Sequence, residues 1–270
     1  MTKRYWLLAT LTFLLLGGDA RAWGDLGHKV ICEIAFRLVQ PDTRTAINRL
    51  MQLDSESKAF ADSCIYPDHP RIRAEEHFLN LLRGSKELTS DECPLANACL
   101  LTAIRHDYKI LHAKDGSDAS KLDALKSLGH WVGDLHQPLH VAFLDDRGGN
   151  DIKTSGSCRN LHAVWDNCLV LYSAGPDASE AATDLLADIT PEMQVMWNAS
   201  IPRDWANESF AIAEAPGTMY CTMHGPSCDM TDSALNISAQ YLEANEPVVK
   251  QQLQKAGVRL GRLLDTAFLN

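Results

Sequence analysis

Residues 130–140 read HWVGDLHQPLH and hold three histidines, one aspartate and one proline within eleven positions. Side chains four residues apart share a face of a helix, so this spacing places His130 and Asp134 one turn apart on the same side. Pro138 cannot continue a helix, so we expect the chain to turn there and bring His140 back toward the same point. Imidazole and carboxylate together favour Zn²⁺, because Ca²⁺ and Mg²⁺ prefer oxygen ligands alone. The stretch therefore predicts a zinc site at the end of a helix.

A second pair with the same spacing, His162 and Asp166, follows in the segment 160–167, NLHAVWDN. The alternative interpretation is a structural ion pair, since an isolated histidine on an apolar helix is more often structural than a ligand. The repetition of the pair, together with histidines at positions 28 and 77, argues against that alternative. Buried imidazole and carboxylate are unfavourable unless they are paired or bound to metal. The pattern favours a multinuclear zinc site.

Apolar residues recur mainly with helical spacing. The predicted helical segments are 26–39, 44–53, 98–112, 122–135, 161–171, 178–189, 191–198, 204–213 and 234–268. Pro41-Asp42 is expected to close the first of them, residues 75–82 to form a short helix or strand, and residues 151–154 to form a short strand. Period-two alternation is confined to short scattered segments. We therefore expect an all-α, single-domain helical bundle with minor β content.

The first 22 residues have the features of a secretory signal peptide. Lys3 and Arg4 precede an apolar run over 5–16, and Ala20-Arg21-Ala22 fits the cleavage pattern. A membrane anchor is the alternative, but the apolar run is shorter than the roughly 20 residues that span a bilayer. We therefore predict a signal peptide over 1–22, one domain over 23–270, and a secreted or periplasmic protein that is not a membrane protein.

Cleavage after residue 22 would create a further metal ligand. Trp23 would then carry a free α-amino group only five residues before His28. An amine and the adjacent carbonyl oxygen can chelate one metal ion as a five-membered ring. Processing would in that case complete the zinc site.

The net charge of the chain is −10, and removal of residues 1–22 changes it to −12, because three basic residues and one acidic residue are lost. Such a protein has no extended basic field with which to bind a polyanion. Phosphate binding would therefore depend on a local cation such as a bound metal.

All eight cysteines follow residue 22, and an even number in an exported protein favours disulfides over thiolate metal ligands. The close pairs are plausible loop crosslinks, although the sequence alone does not determine the connectivity. These pairs are Cys93/Cys99, Cys158/Cys168 and Cys221/Cys228, which leave Cys32 and Cys64.

Six segments together carry a resemblance to a known family. They are WGDLGH at 23–28, YPDHPR at 66–71, HFLN at 77–80, HWVGDLHQPLH at 130–140, RGGN at 147–150 and NLHAVWDN at 160–167. The mature chain resembles the S1/P1 nuclease family, secreted zinc-dependent enzymes related in fold to zinc-dependent phospholipase C. The resemblance implies a bundle of the phospholipase C/P1 nuclease type. One departure is Pro67, in Tyr66-Pro67-Asp68, where the family usually has Trp-Ala-Asp.

The resemblance also implies three zinc ions per chain. The first would be held by Asp68, His77, His130 and Asp134, the second by His140, His162 and Asp166, and the third by Trp23, His28 and the bridging Asp134. His136 is not assigned to a metal and is expected to make a hydrogen bond within the turn.

Two residues are implied to be catalytic: Asp68, which would orient the attacking water, and Arg71, which would stabilise charge on phosphorus. Phe78 would stack on a base, which contributes roughly 1–3 kcal/mol for any base. Asn80 and Asn167 would hydrogen-bond the base edge. The remaining substrate-binding candidate is Asn150, beside Gly148-Gly149. Without the resemblance, a surface salt bridge is the favoured interpretation of Arg71, and Phe78 could equally be part of the core.

The expected function is a zinc-dependent endonuclease that cleaves single-stranded DNA and RNA to 5′-phosphorylated products and has 3′-nucleotidase activity. The expected partners are single-stranded DNA and RNA and 3′-nucleotides, and we expect a monomer with no stable protein partner. A zinc-dependent phospholipase C is the first alternative. A non-catalytic zinc-storage or adhesion protein is the second, and it fits less well because storage requires neither Arg71 nor an aromatic residue of the size of Phe78.

Overall fold

The computed structural model describes residues 23–225 and 227–269, so the predicted signal peptide over 1–22 lies outside the described residues. Helices dominate the described chain, which confirms the all-α prediction. The α-helices are α1 Gly24–Leu38, α2 Pro41–Met51, α3 Phe60–Ser63, α4 Leu100–His112, α5 Asp118–His136, α6 Leu161–Ala163, α7 Leu169–Ala174, α8 Ala178–Ala187, α9 Pro191–Trp197, α10 Pro202–Glu214 and α11 Ala239–Phe268. Short 3₁₀ turns cover Ala74–His77, Pro138–His140 and Pro216–Thr218, and a π-helical turn covers Val164–Cys168. Within the described residues, no helix has both the length and the apolar character needed to cross a membrane.

Helix α5 lies at the centre of the bundle and packs against α1, α4 and α11. Every residue of α5 from Ala124 to His136 is buried, polar residues included. A helix that is buried on all sides belongs to the interior of a domain rather than to its surface. The metal-binding stretch of the sequence is therefore part of the core.

Two glycines of α5 let its neighbours approach closely. A Cβ atom at Gly129 would lie 2.5 Å and 2.7 Å from the sulfur atoms of Cys64 and Cys32. A Cβ atom at Gly133 would lie 2.7 Å from the Nδ1 atom of His28 on α1. The two glycines are one turn apart on α5. At this face of the helix no side chain separates the backbone from the Cys32–Cys64 disulfide and from His28.

Four disulfides connect the described chain, and they confirm the pairing suggested by the close cysteine pairs. They join Cys32 to Cys64, Cys93 to Cys99, Cys158 to Cys168, and Cys221 to Cys228.

Two small sheets complete the fold. Strand β1, Leu79–Leu81, pairs in parallel with β2, Val141–Phe143. Each strand directly follows a segment that contains a predicted zinc ligand, His77 or His140, so this pairing brings the two segments together. Strands β3, Cys221–His224, and β4, Ser227–Met230, form an antiparallel hairpin that the sequence pattern did not predict.

Several boundaries differ from the prediction for local reasons. Pro41 does not close α1 but begins α2, because proline lacks an N–H and is tolerated at the first helical position. Helix α11 begins at Ala239 rather than at residue 234, since the Ser238 side chain accepts a hydrogen bond from the Tyr241 N–H and caps the helix. The predicted helix 161–171 is interrupted by the π-helical turn. Residues 151–154 form only isolated bridges at Lys153 and Thr154.

The packing at Gly129 predicts that Gly129→Ala lowers the free energy of unfolding by about 2 kcal/mol, because the new methyl group overpacks against a disulfide that cannot move away. Gly261→Ala on α11 is the matched control. The nearest atoms to a Cβ at Gly261 lie 3.5–3.8 Å away, and alanine is favoured over glycine inside a helix. Thermal unfolding followed by circular dichroism measures both variants. Equal midpoints for the two variants would contradict the packing argument.

Candidate metal centre

The predicted ligand side chains form three groups in the buried core around Asp134. In each group the ligand atoms, one from each residue, lie within 4.8 Å of one another. The groups are His28/His130/Asp134, Asp68/His77/His130 and His140/His162/Asp166. None of these side chains belongs to a residue more than 8% exposed, and Trp23, at the start of α1, is fully buried.

The two pairs with four-residue spacing are adjacent in space, as the sequence predicts. The distance from His130 Nε2 to Asp134 Oδ2 is 3.4 Å, and the distance from His162 Nε2 to Asp166 Oδ2 is also 3.4 Å. The turn at Pro138 returns His140 to the cluster, with its Nε2 atom 3.7 Å from Asp166 Oδ1. The four-residue spacing therefore brings four of the predicted ligand side chains together in pairs, and the proline turn brings a fifth to them.

Asp134 presents its two oxygens to different histidines. Its Oδ1 atom lies 3.2 Å from His28 Nε2, whereas its Oδ2 atom lies 3.4 Å from His77 Nδ1 and 3.4 Å from His130 Nε2. The His28 ring stacks on the His130 ring at 3.9 Å between centroids. A carboxylate placed in this way can bridge two metal ions, one on each oxygen.

Four of the histidines have their orientation fixed by backbone carbonyl groups. His77 Nε2–H donates to Ile72, His130 Nδ1–H to Cys64, His140 Nδ1–H to His77, and His162 Nδ1–H to Gly148. A carbonyl oxygen can only accept, so in each neutral ring the other nitrogen carries a lone pair. Those other nitrogens point into the cluster. This is the usual arrangement behind a metal-binding histidine.

The lone pairs meet in positions that suit a cation. His140 Nε2 and His162 Nε2 are 3.0 Å apart, and His77 Nδ1 and His130 Nε2 are 3.2 Å apart. When both rings of a pair are neutral and each donates its one N–H to a carbonyl, neither facing nitrogen has a proton to share, so the two lone pairs repel. Two nitrogen ligands 2.0–2.1 Å from a tetrahedral zinc lie roughly 3.3–3.4 Å apart, close to both separations.

Several buried polar atoms of the cluster have no hydrogen-bond partner among the described residues. They are both ring nitrogens of His28, both oxygens of Asp134, Oδ1 of Asp68 and Oδ2 of Asp166. Each such atom costs about 1–3 kcal/mol if it stays unpaired. Their concentration in one place fits a site whose ligands are completed by metal ions.

The carboxylates also repel one another when no cation is present. Burial raises the pKa of Asp166 to about 7, and the charges of Asp134 and Asp68 add to this effect, against the opposing influence of His162 and Gln137. Burial also acts to raise the pKa of Asp134, but the surrounding imidazoles outweigh it and hold that pKa well below its usual range. Below about pH 7, zinc must therefore displace a proton from Asp166 in order to bind.

Residues that the sequence analysis missed support the ligands. The Trp131 ring packs edge-on against the His77 and His130 rings, at 4.8 Å and 5.2 Å between centroids. Its indole N–H donates to Asp107 Oδ2 (2.7 Å), which also accepts from Arg73 Nη1 (2.7 Å). Trp131 lies within residues 130–140, the stretch that predicted the zinc site. Asp107 and Arg73 lie outside it, because ion pairs between distant segments leave no local pattern in the sequence.

Gly148 has a structural role beside His162. Its φ angle is +60°, and a Cβ atom there would lie 2.2 Å from the Leu139 carbonyl oxygen, so only glycine fits without rearrangement. This conformation directs the Gly148 carbonyl to His162. Asp146 fixes the same loop, because its carboxylate accepts from the Gly149 N–H (3.0 Å) and from the Tyr220 hydroxyl (2.7 Å).

His136 lies outside the metal cluster, as expected. Its Nδ1–H donates to the Val132 carbonyl (2.7 Å), and its Nε2 atom accepts from Arg259 Nη1 (2.9 Å) on α11. Burial, with the nearby positive charge of Arg259, holds the pKa of His136 well below its usual range. This histidine therefore stays neutral and joins α5 to α11.

The residues predicted to bind substrate adjoin the cluster without being part of it. Phe78 and Asn80 are half-buried on the segment that follows His77. Asn150 is also half-buried, and its side-chain amide donates to the Arg147 carbonyl (2.8 Å). Asn167 is exposed and lies next to Gly24, the residue after Trp23. A Cβ atom added to Gly24 would lie only 2.4 Å from the Asn167 Oδ1 atom.

Comparison with known proteins agrees with this geometry. The sequence model of the family described as S1/P1 Nuclease matches residues 23–269. Endonuclease 3 of Arabidopsis thaliana is 26% identical, with 98% of this chain and 95% of that protein covered. Nuclease S1 of Aspergillus oryzae is 27% identical (90% and 91% covered), and Nuclease P1 of Penicillium citrinum is 23% identical (90% and 97% covered). Because the family match spans almost all of the sequence, this chain belongs to the S1/P1 nuclease family.

Proposed function

We propose that the mature protein is a secreted or periplasmic zinc-dependent endonuclease that hydrolyses single-stranded DNA and RNA to 5′-phosphorylated products and also acts as a 3′-nucleotidase. The observation that carries this proposal is the buried cluster around Asp134, in which lone pairs and partnerless carboxylate oxygens converge. Membership of the S1/P1 nuclease family supports the same reaction class.

Three zinc ions fit the ligand groups. The first would be held by Asp68, His77, His130 and Asp134, the second by His140, His162 and Asp166, and the third by Trp23, His28 and Asp134. When bound, zinc supplies Lewis-acid chemistry: it polarises phosphate oxygens and makes water acidic enough to ionise near neutral pH. The positive charge would also allow an acidic chain to hold a phosphate.

Asp68 is the proposed group for orienting the attacking water. It is 8% exposed, the highest exposure among the ligand residues, so it lies where the cluster meets solvent. Its Oδ1 atom has no hydrogen-bond partner among the described residues, so one carboxylate oxygen could coordinate zinc while the other accepts a hydrogen bond from water. Burial raises the pKa of Asp68, and the charge of Asp134 raises it further, against the opposing influence of His28, His77 and Arg71.

Arg71 is the proposed cation that stabilises the phosphoryl group. It follows Asp68 across a tight turn, where the two residues form an antiparallel bridge. Its charge acts to lower the pKa of Asp68 and of His140, which belong to the first and the second ligand group. From there it can pair with a phosphate oxygen as negative charge develops.

Recognition of a single strand is proposed to come from stacking on Phe78. An aromatic ring accepts any base face, and an unpaired base is available for stacking whereas a base inside a duplex is not. Asn80 and Asn167 would hydrogen-bond the base edge, and Asn150 would line the same site once its amide leaves the Arg147 carbonyl.

We further propose that residues 1–22 are a signal peptide and that the mature domain begins at Trp23 and acts as a monomer with no stable protein partner. The four disulfides support this proposal, because such bonds persist in oxidising compartments.

The proposed function is tested by counting zinc in the mature protein and assaying hydrolysis before and after chelation. We expect about three zinc ions per chain, together with chelator-sensitive hydrolysis of 3′-AMP and of single-stranded DNA. Phosphatidylcholine serves as the control substrate. Hydrolysis of phosphatidylcholine without hydrolysis of nucleotides would replace the proposal by a phospholipase C, and fewer than two zinc ions would overturn the metal assignment.

Asp134→Asn is expected to lose two zinc ions, because each oxygen of Asp134 faces a different ligand group. Asp166 faces histidines of the second group alone, His140 and His162, besides the Gln137 amide, so Asp166→Asn is expected to lose one. Zinc per chain is measured by mass spectrometry after removal of free metal, with circular dichroism as the control for folding. Activity should fall at least about 100-fold in both variants. Three zinc ions retained in Asp134→Asn would refute the bridging role.

A single glycine added before Trp23 of the mature protein is expected to remove the third zinc and to lower kcat/KM for 3′-AMP at least tenfold. The added residue converts the α-amino group into an amide, which is a far poorer ligand. The matched control carries one glycine added after Asn270. Full zinc content and full activity in the extended protein would show that the amine is not a ligand.

A further inference from the structure

A second polar depression lies next to the metal centre, outside the set of ligands. It has a volume of about 360 Å³ and is bounded by the 3₁₀ turn Ala74–His77 on one side and by the face of α4 that runs from Thr102 to Lys109 on the other. Its charged and polar walls include Arg73, Glu76, Thr102, Arg105, His106 and Lys109. We refer to it as the α4 pocket.

Positively charged side chains line the α4 pocket, although the net charge of the chain is −10. Arg73 is ion-paired with Glu76 and Asp107, so Arg105 and Lys109 are the cations that can meet an external anion. The side chains of Lys109 and His106 are exposed, and neither makes a hydrogen bond or an ion pair with another described residue. These two groups are available to an external anion.

The cation Arg105 is held by an exchangeable contact. Its guanidinium donates two hydrogen bonds to Glu92, at 2.9 Å and 3.0 Å. The side chains of Arg105 and Glu92 are 41% and 68% exposed, and ion pairs in water contribute little. A phosphate can therefore compete with Glu92 for Arg105, and a bidentate contact to phosphate suits the guanidinium group.

The α4 pocket lies close to the metal cluster and to Phe78, where the nucleic-acid substrate is proposed to bind. The Arg73 guanidinium carbon lies 5.1 Å from the centre of the Trp131 ring, and that ring lies 4.8 Å from the ring of the ligand His77. A single indole thus separates the pocket wall from the metal cluster. Phe78 follows the 3₁₀ turn directly, and its carbonyl accepts from the Leu100 N–H (3.3 Å) at the start of α4. The pocket adjoins the residue proposed to stack on a base.

We propose that the α4 pocket binds a phosphodiester of the same single strand, at a nucleotide flanking the one that is cleaved, through Arg105 and Lys109. This inference rests on the proposed function, because it assigns a subsite to the polymeric substrate of that reaction. Contacts to phosphate carry no base information, so the subsite strengthens binding of every sequence alike. The subsite increases the affinity for polymers but not for a mononucleotide, which has no flanking phosphodiester.

The test compares two double variants that lose the same charge. Arg105→Ala/Lys109→Ala removes the pocket cations. Arg49→Ala/Lys114→Ala is the matched control, because Arg49 also donates two hydrogen bonds to an exposed carboxylate, Asp118, and Lys114 is an exposed lysine just beyond α4. Circular dichroism and zinc content confirm that each variant is folded and loaded with metal.

Binding is measured by fluorescence anisotropy with an oligothymidylate whose linkages are all phosphorothioate, which retains every negative charge. We expect the pocket variant to bind about tenfold more weakly at about 50 mM salt. The slope of log K against log salt should be shallower by about 1.4, since each lost contact to a single strand contributes about 0.7. For cleavage of unmodified oligothymidylate, kcat/KM should fall in parallel, while kcat/KM for 3′-AMP stays within twofold.

Other outcomes separate this proposal from the proposed function. An unchanged salt slope in the pocket variant overturns the subsite, and so does an equal loss in both double variants, which would reflect net charge alone. If kcat/KM of the pocket variant fell equally for 3′-AMP and for the oligonucleotide, the subsite would also be overturned, because the two cations would then act on the metal cluster itself. The wild-type protein could also bind the oligonucleotide and cleave none of the substrates. If the pocket variant alone then reduced the slope of log K against log salt, the proposed reaction would be overturned and the subsite would stand.

Discussion

The buried carboxylate of Asp134 is the group on which the rest of the structure depends. It lies at the centre of the bundle with neither oxygen hydrogen-bonded among the described residues, and histidines from α1, α5 and the turn before β1 converge on it. A charge buried in this way is tolerated only when opposite charge compensates it. Metal binding would supply that compensation, so folding of the core and loading of the proposed zinc ions are thermodynamically linked.

The frame around Asp134 fixes the ligands before any substrate arrives. Backbone carbonyls hold four histidine rings, and the Trp131 indole, itself held by Asp107, packs against two of them. Gly129 and Gly133 allow α5 to approach the Cys32–Cys64 disulfide and His28 closely. Ligands held in this way need little reorganisation on binding a metal, and the metal ions are then preorganised for the transition state.

The distribution of charge explains how an acidic chain can act on a polyanion. The net charge of the chain is negative, so the positive charge proposed to meet the substrate is local: it comes from the zinc ions and Arg71 at the cluster and from Arg105 and Lys109 in the α4 pocket. The surrounding acidic surface would repel nucleic acid elsewhere on the protein. A single strand is thereby expected to be held along one path, from the pocket past Phe78 to the metal centre.

The sequence alone determined the features that depend on a few neighbouring residues. Helical periodicity predicted the all-α fold, four-residue spacing placed His130 next to Asp134, and the segments around these residues indicated the family. Distant partners became visible only in the tertiary structure: the carbonyls that orient the histidines, the Arg73–Asp107–Trp131 contacts, the α4 pocket and the oxygen of Asp134 that faces each histidine. Local spacing encodes the geometry of one turn of helix, whereas contacts between distant segments depend on how whole helices pack.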